Sequence, residues 1–237
     1  HKFKTKNFLT YGFDKNANYH IINIRRKINS SIFDIIIKIS DDKTYKIKNI
    51  KVNLIGDHNI SNATAATAIA LNLGVKINKI KKALNKFLGI QRRFTKIFSI
   101  KEREFYDDYA HHPTEIQAVI NSARQIYKKR KIICVFQPHR FSRVKFLKSE
   151  FASSFRKCNE VVLCPVYSAG EKKRYNFDQD KFSQLISKKS NTQVINVFNK
   201  EQLKNYFRKN LLLNELIICM GAGSISNWIR EIGVEIK

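Results

Sequence analysis

From Glu104 onward, short aliphatic runs alternate with helix-length segments five times over, and few architectures accept a chain of that kind. The runs fall near Glu104–Tyr109, Lys131–Phe136, Glu160–Val166, Gln193–Phe198 and Glu215–Met220. Between and after them, helices are expected near Pro113–Tyr127, Ser142–Phe155, Gln179–Ser187, Glu201–Lys209 and Ser224–Ile232. Strands as apolar as Ile132-Ile133-Cys134-Val135-Phe136 suit a parallel sheet covered on both faces. Repeated βα units then require a doubly wound sheet with right-handed crossovers.

The first part of the chain is organised differently. Phe33 to Ile39 is a β-branched run, Asp41-Asp42-Lys43 makes a turn, and Tyr45 to Leu54 alternates, which together predict a hairpin. Asn62 to Leu73 is Ala-rich and predicts a helix closed by Gly74. Ile77, Ile80, Leu84 and Phe87 follow at helical spacing and predict a second one, ending at Gly89. Gln91-Arg92-Arg93-Phe94 is a basic connector, so the expected domains are 1–94 and 95–237.

Lys and Arg total 45 against 19 acidic residues, a formal charge of +26. An excess of this size can bind nucleic acid through its phosphates, which makes a basic nucleic-acid-binding α/β module the rival class. The lysines are scattered through every segment, however, so no nucleic-acid partner is expected from a clustered patch. No apolar run is long enough to cross a bilayer, and no membrane partner is expected. Cys134, Cys158, Cys164 and Cys219 form no C-x-x-C pair, and most lie in aliphatic runs, as free thiols in a reducing cytoplasm do. The start at His1, without Met or a signal segment, reads as a processed or truncated chain.

Four segments carry candidate chemistry. Asn59 and Asn62 share one face near a helix start, where carboxamides offer the donor and acceptor an adenine edge requires; Asn is equally a favoured N-cap. Asp107-Asp108-Tyr109-Ala110-His111-His112-Pro113-Thr114-Glu115 lies where a strand feeds a helix, the place where open α/β sheets bind ligands. Asp108 could accept from a ribose hydroxyl and His111 could bind an anion or carry a proton; alternatively an aspartate ends the strand and a histidine caps the helix. Gln137-Pro138-His139-Arg140-Phe141-Ser142-Arg143 opens the next helix. There Arg140 and Arg143 crowd a terminus that already favours anions, which argues for a bound carboxylate or phosphate. Arg92-Arg93 could hold a phosphate or be a solvated pair. Gly221-Ala222-Gly223-Ser224 lacks the third glycine of a dinucleotide fingerprint and reads as a tight turn.

Taken in order and spacing, these segments resemble the Mur ligases. Thr10-Tyr11-Gly12-Phe13, Gly56 to Asn62, Arg92-Arg93-Phe94, Asp107 to Glu115, Phe136 to Arg143, Val166 to Glu171 and Gly221 to Ile225 all take part, across nearly the whole chain. The resemblance implies an α/β chain: the remnant of a central ATPase domain, then a Rossmann-like doubly wound C-terminal domain. It implies ATP-dependent ligation of L-alanine to UDP-N-acetylmuramate through an acyl phosphate, in peptidoglycan synthesis, with ATP and Mg as cofactors. A ligase recycling murein peptides is the neighbouring alternative. The resemblance places Asn59 and Asn62 at the adenine, Arg93 at the ATP phosphates and Asp108 at the ribose. It places His111, Arg140 and Arg143 around the alanine. No G-x-x-x-x-G-K-[ST] phosphate loop occurs among the 237 residues. The chain is therefore expected to be the C-terminal half of such an enzyme, with its Mg ligands elsewhere and no phosphoryl transfer of its own.

Overall fold

The computed structural model describes residues 8–40, 43–172 and 175–236. The chain forms two compact units, His1–Gly89 and Ile90–Lys237.

In the first unit, β1 (Tyr11–Gly12), β2 (Tyr19–Lys27), β3 (Ser30–Ser40) and β4 (Lys43–Val52) form one sheet in that order. The β1–β2 pair is parallel and the other two pairs are antiparallel. The expected hairpin is β3–β4, although its turn at Asp41-Asp42 lies outside the described residues. Strand β2 was not expected. Its outer half is polar, and its register slips between Ile22 and Arg25, so alternation fails midway. Buried Asp34 on β3 staples both flanking strands: it accepts from Asn23 Nδ2 and from Asn49 N–H, each at 2.8 Å.

Two helices follow, α1 (Asp57–Asn72) and α2 (Ile77–Lys86). Helix α1 starts five residues before the expected Asn62, and its N-cap is Gly56 (φ 93°) rather than an asparagine. Its end is as expected. Val75 N–H reaches Ala70 O and Gly74 N–H reaches Leu71 O, with Gly74 at φ 79°, a Schellman closure. Ile60, Ala63 and Ala68 of α1 join Tyr19, Phe33, Ile35 and Ile50 in the unit's own core.

The second unit comprises β5 (Thr95–Ile100), β6 (Arg103–Asp108), α3 (Pro113–Ile126), β7 (Lys131–Phe136), α4 (Phe141–Phe146) and α5 (Lys148–Ser153). It continues with β8 (Glu160–Leu163), α6 (Gln179–Ser190), β9 (Gln193–Asn196), α7 (Lys200–Asn210), β10 (Glu215–Met220) and α8 (Ile225–Glu235). The helix expected over Ser142–Phe155 is thus two short ones meeting at Leu147. Spatial order in the sheet is β5-β6-β10-β7-β8-β9. All neighbours are parallel except β5, an unforeseen antiparallel edge strand on β6.

Side-chain alternation along the buried strands feeds two cores. Ile132, Cys134 and Phe136 pack with α3, α5 and α6 on one face. Ile133 and Val135 pack with α7 and α8 on the other. Helices on both faces of a mostly parallel sheet make this unit doubly wound. Strand β10, last in the chain, sits between β6 and β7, the first two parallel strands. Helices α3 and α4–α5 leave β6 and β7 toward one face while α8 leaves β10 toward the other, which creates the crevice where such sheets bind ligands.

The connector Arg92-Arg93-Phe94 belongs to this second unit, whereas a boundary after Phe94 was expected. Phe94 stacks on Tyr106 at 4.4 Å between ring centres, and its N–H donates to Asp108 at 2.8 Å. No helix among the described residues is long and apolar enough to cross a membrane.

Candidate functional site

Three strand ends meet at that crevice: β6 running into Tyr109–His112, β7 into Gln137–Arg143, and β10 into Gly221–Ser224. The turn after β8 joins them, because Arg140 N–H donates to Tyr167 O at 2.9 Å and Tyr167 N–H to Pro138 O at 2.8 Å. Gly221-Ala222-Gly223 is the close approach expected of it. A β-carbon on Gly223 would lie 2.5 Å from Tyr167 Cγ and 2.6 Å from Gln137 Oε1, and Gly221 takes φ 151°. Gln137 is buried and locks this turn, accepting from Ile225 N–H at 3.0 Å and donating to Ser224 Oγ at 3.0 Å.

The adjacent histidines separate into two roles. His112 caps α3: Thr114 N–H and the Thr114 hydroxyl both lie at its Nδ1, and Glu115 accepts from its backbone N–H at 3.2 Å. His111 instead has two acceptors at Nδ1, Tyr109 O at 2.9 Å and Glu115 Oε2 at 3.4 Å. Neither can donate, so Nδ1 of His111 carries a proton, and in the neutral ring Nε2 holds the lone pair.

Sequence reasoning gave His139 no role, yet it links the residues that had one. Its ring centre lies 5.6 Å from that of His111 and 5.8 Å from that of Tyr167. Arg143 Nη1 sits 3.2 Å from its Nδ1. Burial first, then the charges of Arg143, His111 and Arg140, hold His139 below the ordinary imidazole value. It is therefore neutral near pH 7 and accepts from the guanidinium. The available signal was positional: like His111, it stands just past the end of a parallel strand.

Arg140 is the N-cap of α4 at φ 70°, with an exposed side chain. The anion that sequence reasoning sought at this terminus is partly the protein's own. Glu171 accepts from Ser142 N–H at 3.1 Å and from the Ser142 hydroxyl. The Ser142 hydroxyl foremost, with Arg140 among the smaller causes, keeps Glu171 below the usual carboxylate range. One edge of the site therefore has its anion supplied internally by Glu171, within reach of the Arg140 charge, while Arg143, His139 and His111 form a row beside it.

Asp108, expected to accept from a ribose hydroxyl, is turned inward. It is 3 % exposed, and its oxygens accept from Phe94 N–H at 2.8 Å and Ala110 N–H at 2.7 Å. Burial pushes its carboxyl up to about 6 against the pull of these two donors and of Arg93. The residue braces the segments that carry Arg93 and His111. Arg93 itself is exposed. In the first unit, Asn59 donates to Ile55 O at 2.7 Å, and Asn62 is exposed one turn later on α1. No group of three His, Cys, Asp or Glu side chains among the described residues could hold a metal ion. All four cysteines are free and buried.

Comparison with known proteins gives a consistent result. The family model of the Mur ligase glutamate ligase domain matches residues 92–223, and that of the Mur ligase middle domain matches residues 1–70. The chain is 46% identical over 231 residues to the UDP-N-acetylmuramate–L-alanine ligase of Pelagibacter ubique, covering 98% of this chain and 50% of that protein. It is 35% identical over 221 residues to the protein of the same name from Bartonella tribocorum, covering 93% and 46%. The chain thus spans about half the length of the curated relatives it matches. The solved UDP-N-acetylmuramate–alanine ligase of Thermotoga maritima shares the fold, with a TM-score of 0.74 at 24% identity over 94% of this chain and 46% of that one. A pseudomurein peptide ligase type C from Methanothermus fervidus aligns with a TM-score of 0.66 at 25% identity, over 94% and 42%.

Proposed function

The chain belongs to the Mur ligase family, and from that premise we propose that it supplies the amino-acid side of a ligase joining L-alanine to UDP-N-acetylmuramate. The row Arg143–His139–His111 across the ends of β7 and β6 carries this reading. It sets a guanidinium, a neutral imidazole and a second imidazole with an available Nε2 along one edge of the crevice. A small zwitterion matches that row: its carboxylate takes the forks of Arg140 and Arg143, and its amine is left toward His111. Fixing the carboxylate aims the amine, a positioning contribution to rate.

In the reaction proposed, the amine lone pair attacks the carbonyl carbon of an acyl phosphate. The new C–N bond forms, the C–O bond to phosphate breaks, and inorganic phosphate leaves. His111 Nε2 is the group placed to take the proton the amine must lose. ATP supplies the phosphoryl group of that acyl phosphate; within the first unit we assign Asn59 and Asn62 to an adenine, and within the second, Arg93 to a phosphate. Magnesium usually accompanies ATP through one or two carboxylates and the phosphates themselves; its ligands are assigned outside this segment, no group of three ligating side chains being present among the described residues. Free, buried thiols suit a reducing cytoplasm as the place of action.

The test is Arg140→Ala in a protein that carries this segment together with a phosphate-binding half. Loss of one charge-assisted contact predicts an alanine KM raised roughly 10- to 100-fold with the ATP KM unmoved. Unchanged alanine kinetics would remove the assignment.

A further inference from the structure

The row Arg143–His139–His111 continues to Tyr109 and Arg92, and that end has a feature of its own. Arg92 adopts φ 61°, a left-handed conformation that side chains with a β-carbon rarely take. Strain of that kind persists only where the surroundings hold it. Arg92 is held on three sides: Nη2–H donates to Gly221 O at 2.5 Å, Nε lies 3.8 Å from Asp107 Oδ1, and the guanidinium carbon sits 4.7 Å from the centre of the Tyr109 ring.

Part of this is electrostatic support. Asp107 is fully buried, and an ionised carboxylate out of water is costly unless paired. Ser226 and Arg230 serve its Oδ2, at 2.5 Å and 3.3 Å, while Oδ1 accepts no hydrogen bond and faces only the Arg92 charge. Charge alone, however, does not require a guanidinium laid over Tyr109. That ring is 37 % exposed, and it meets both the Arg92 guanidinium and the His111 ring, the latter edge-on with centres 5.1 Å apart. Arg92 O also accepts from Tyr109 N–H at 2.7 Å. Tyr109 is therefore gripped by Arg92 through its backbone and its ring, and Tyr109 O in turn accepts from His111 Nδ1.

We propose that Arg92 is a positioning residue for His111: through Tyr109 it keeps Nδ1 of His111 on the carbonyl and so leaves Nε2 for the substrate amine. The guanidinium contributes a cation–π contact that pins the ring. The pinned ring walls His111 into one orientation, and the orientation selects the tautomer. The inference rests on His111 as the group facing the amine, but its test needs neither alanine nor nucleotide. A failure of the alanine assignment and a failure of the relay are thus separately visible.

The experiment is nitrogen-detected imidazole NMR on the whole 237-residue chain above the histidine titration range, with His111 assigned by the signal missing from His111→Gln. The parent chain should show His111 protonated at Nδ1. Arg92→Met, which keeps length and removes charge and donors, should move His111 measurably from the Nδ1–H toward the Nε2–H form, with the Glu115 carboxylate at 3.4 Å left as the acceptor still held at Nδ1. Arg230→Met removes the other cation of Asp107 without touching Tyr109 and should leave His111 as in the parent. Tyr109→Leu keeps Arg92 and breaks the relay at its middle; it should repeat the shift, and it decides the matter if Arg92→Met does not fold. An Nδ1–H population at His111 unchanged from the parent in Arg92→Met or Tyr109→Leu would overturn the proposal, as would an equal change in Arg230→Met.

Discussion

Each unit buries an aspartate that its backbone depends on, and the two aspartates answer acid in opposite senses. Asp34 in the first unit and Asp108 in the second both accept main-chain N–H groups, and both are nearly sealed from water. Burial pushes Asp34 up, but the Asn23 amide, the Asn49 N–H and Lys46 outweigh it, so its carboxyl ends below the ordinary range. Asp108 has no cation in direct contact and has Asp107 beside it, so burial wins. The difference is one of partners rather than of depth. In the first unit the carboxylate is an asset; in the second its negative charge is tolerated for the brace it makes.

The two cores also share no residues. Phe33, Ile35 and Ile60 belong to one, and every member of the clusters flanking the parallel sheet lies beyond residue 93. The largest effect should therefore be local. Phe33→Ala empties a fully buried site and should cost the first unit about 3–5 kcal/mol. Hydrogen exchange should show β2, β3 and β4 losing protection while β7 and β10 keep theirs. Parallel losses in both would dissolve the distinction.

The pH response comes next in size. A group whose folded pKa is raised lends stability that is complete below its unfolded value and is lost as pH climbs through the folded one. For Asp108, from 3.8 to about 6, that is roughly 3 kcal/mol. Asp34 has the reverse sign: its contribution is present above the unfolded value and disappears as pH falls through a lower folded one. Between pH 7 and pH 4.5 the Asp108 contribution should stabilise the second unit, and Asp108→Asn should flatten that slope. A carboxyl NMR titration that put Asp108 below Asp34 would reverse the contrast. The smallest effect is expected at His112, where alanine removes a cap worth about 1 kcal/mol and should leave the His111 ring signals unchanged. A shift of His111 as large as that of His112's neighbours would show that the two histidines do not divide their labour.

Much of the second unit was readable in the chain. Runs such as Lys131–Phe136 and Glu215–Met220 are bounded as expected, because strands buried on both faces carry continuous aliphatic sequence. The tight turn at Gly221–Gly223 was legible from its glycines. Strand order was not, since nothing local in Glu215–Met220 says that it inserts between β6 and β7. The edge strand β5 and the interior strand β2 escaped for a related reason: both are partly exposed, and a register shift breaks the alternation of each. At the site, residue types pointed to His111, Arg140 and Arg143. The intervening His139, the internal anion Glu171 and the inward turn of Asp108 depend on which loops touch, and spacing along the chain does not encode that.

The central place of β10 has a consequence for how the molecule comes into being. A ribosome delivers β6 and β7 long before Glu215 emerges, and until then the two strands have nothing to hydrogen-bond across the gap between them. Pairing so distant in sequence closes slowly and leaves open edges meanwhile. The crevice, walled by all three strand ends, consequently cannot exist until β10 has been made. A nascent chain released before Met220 would carry both histidines and both arginines with no site to put them in.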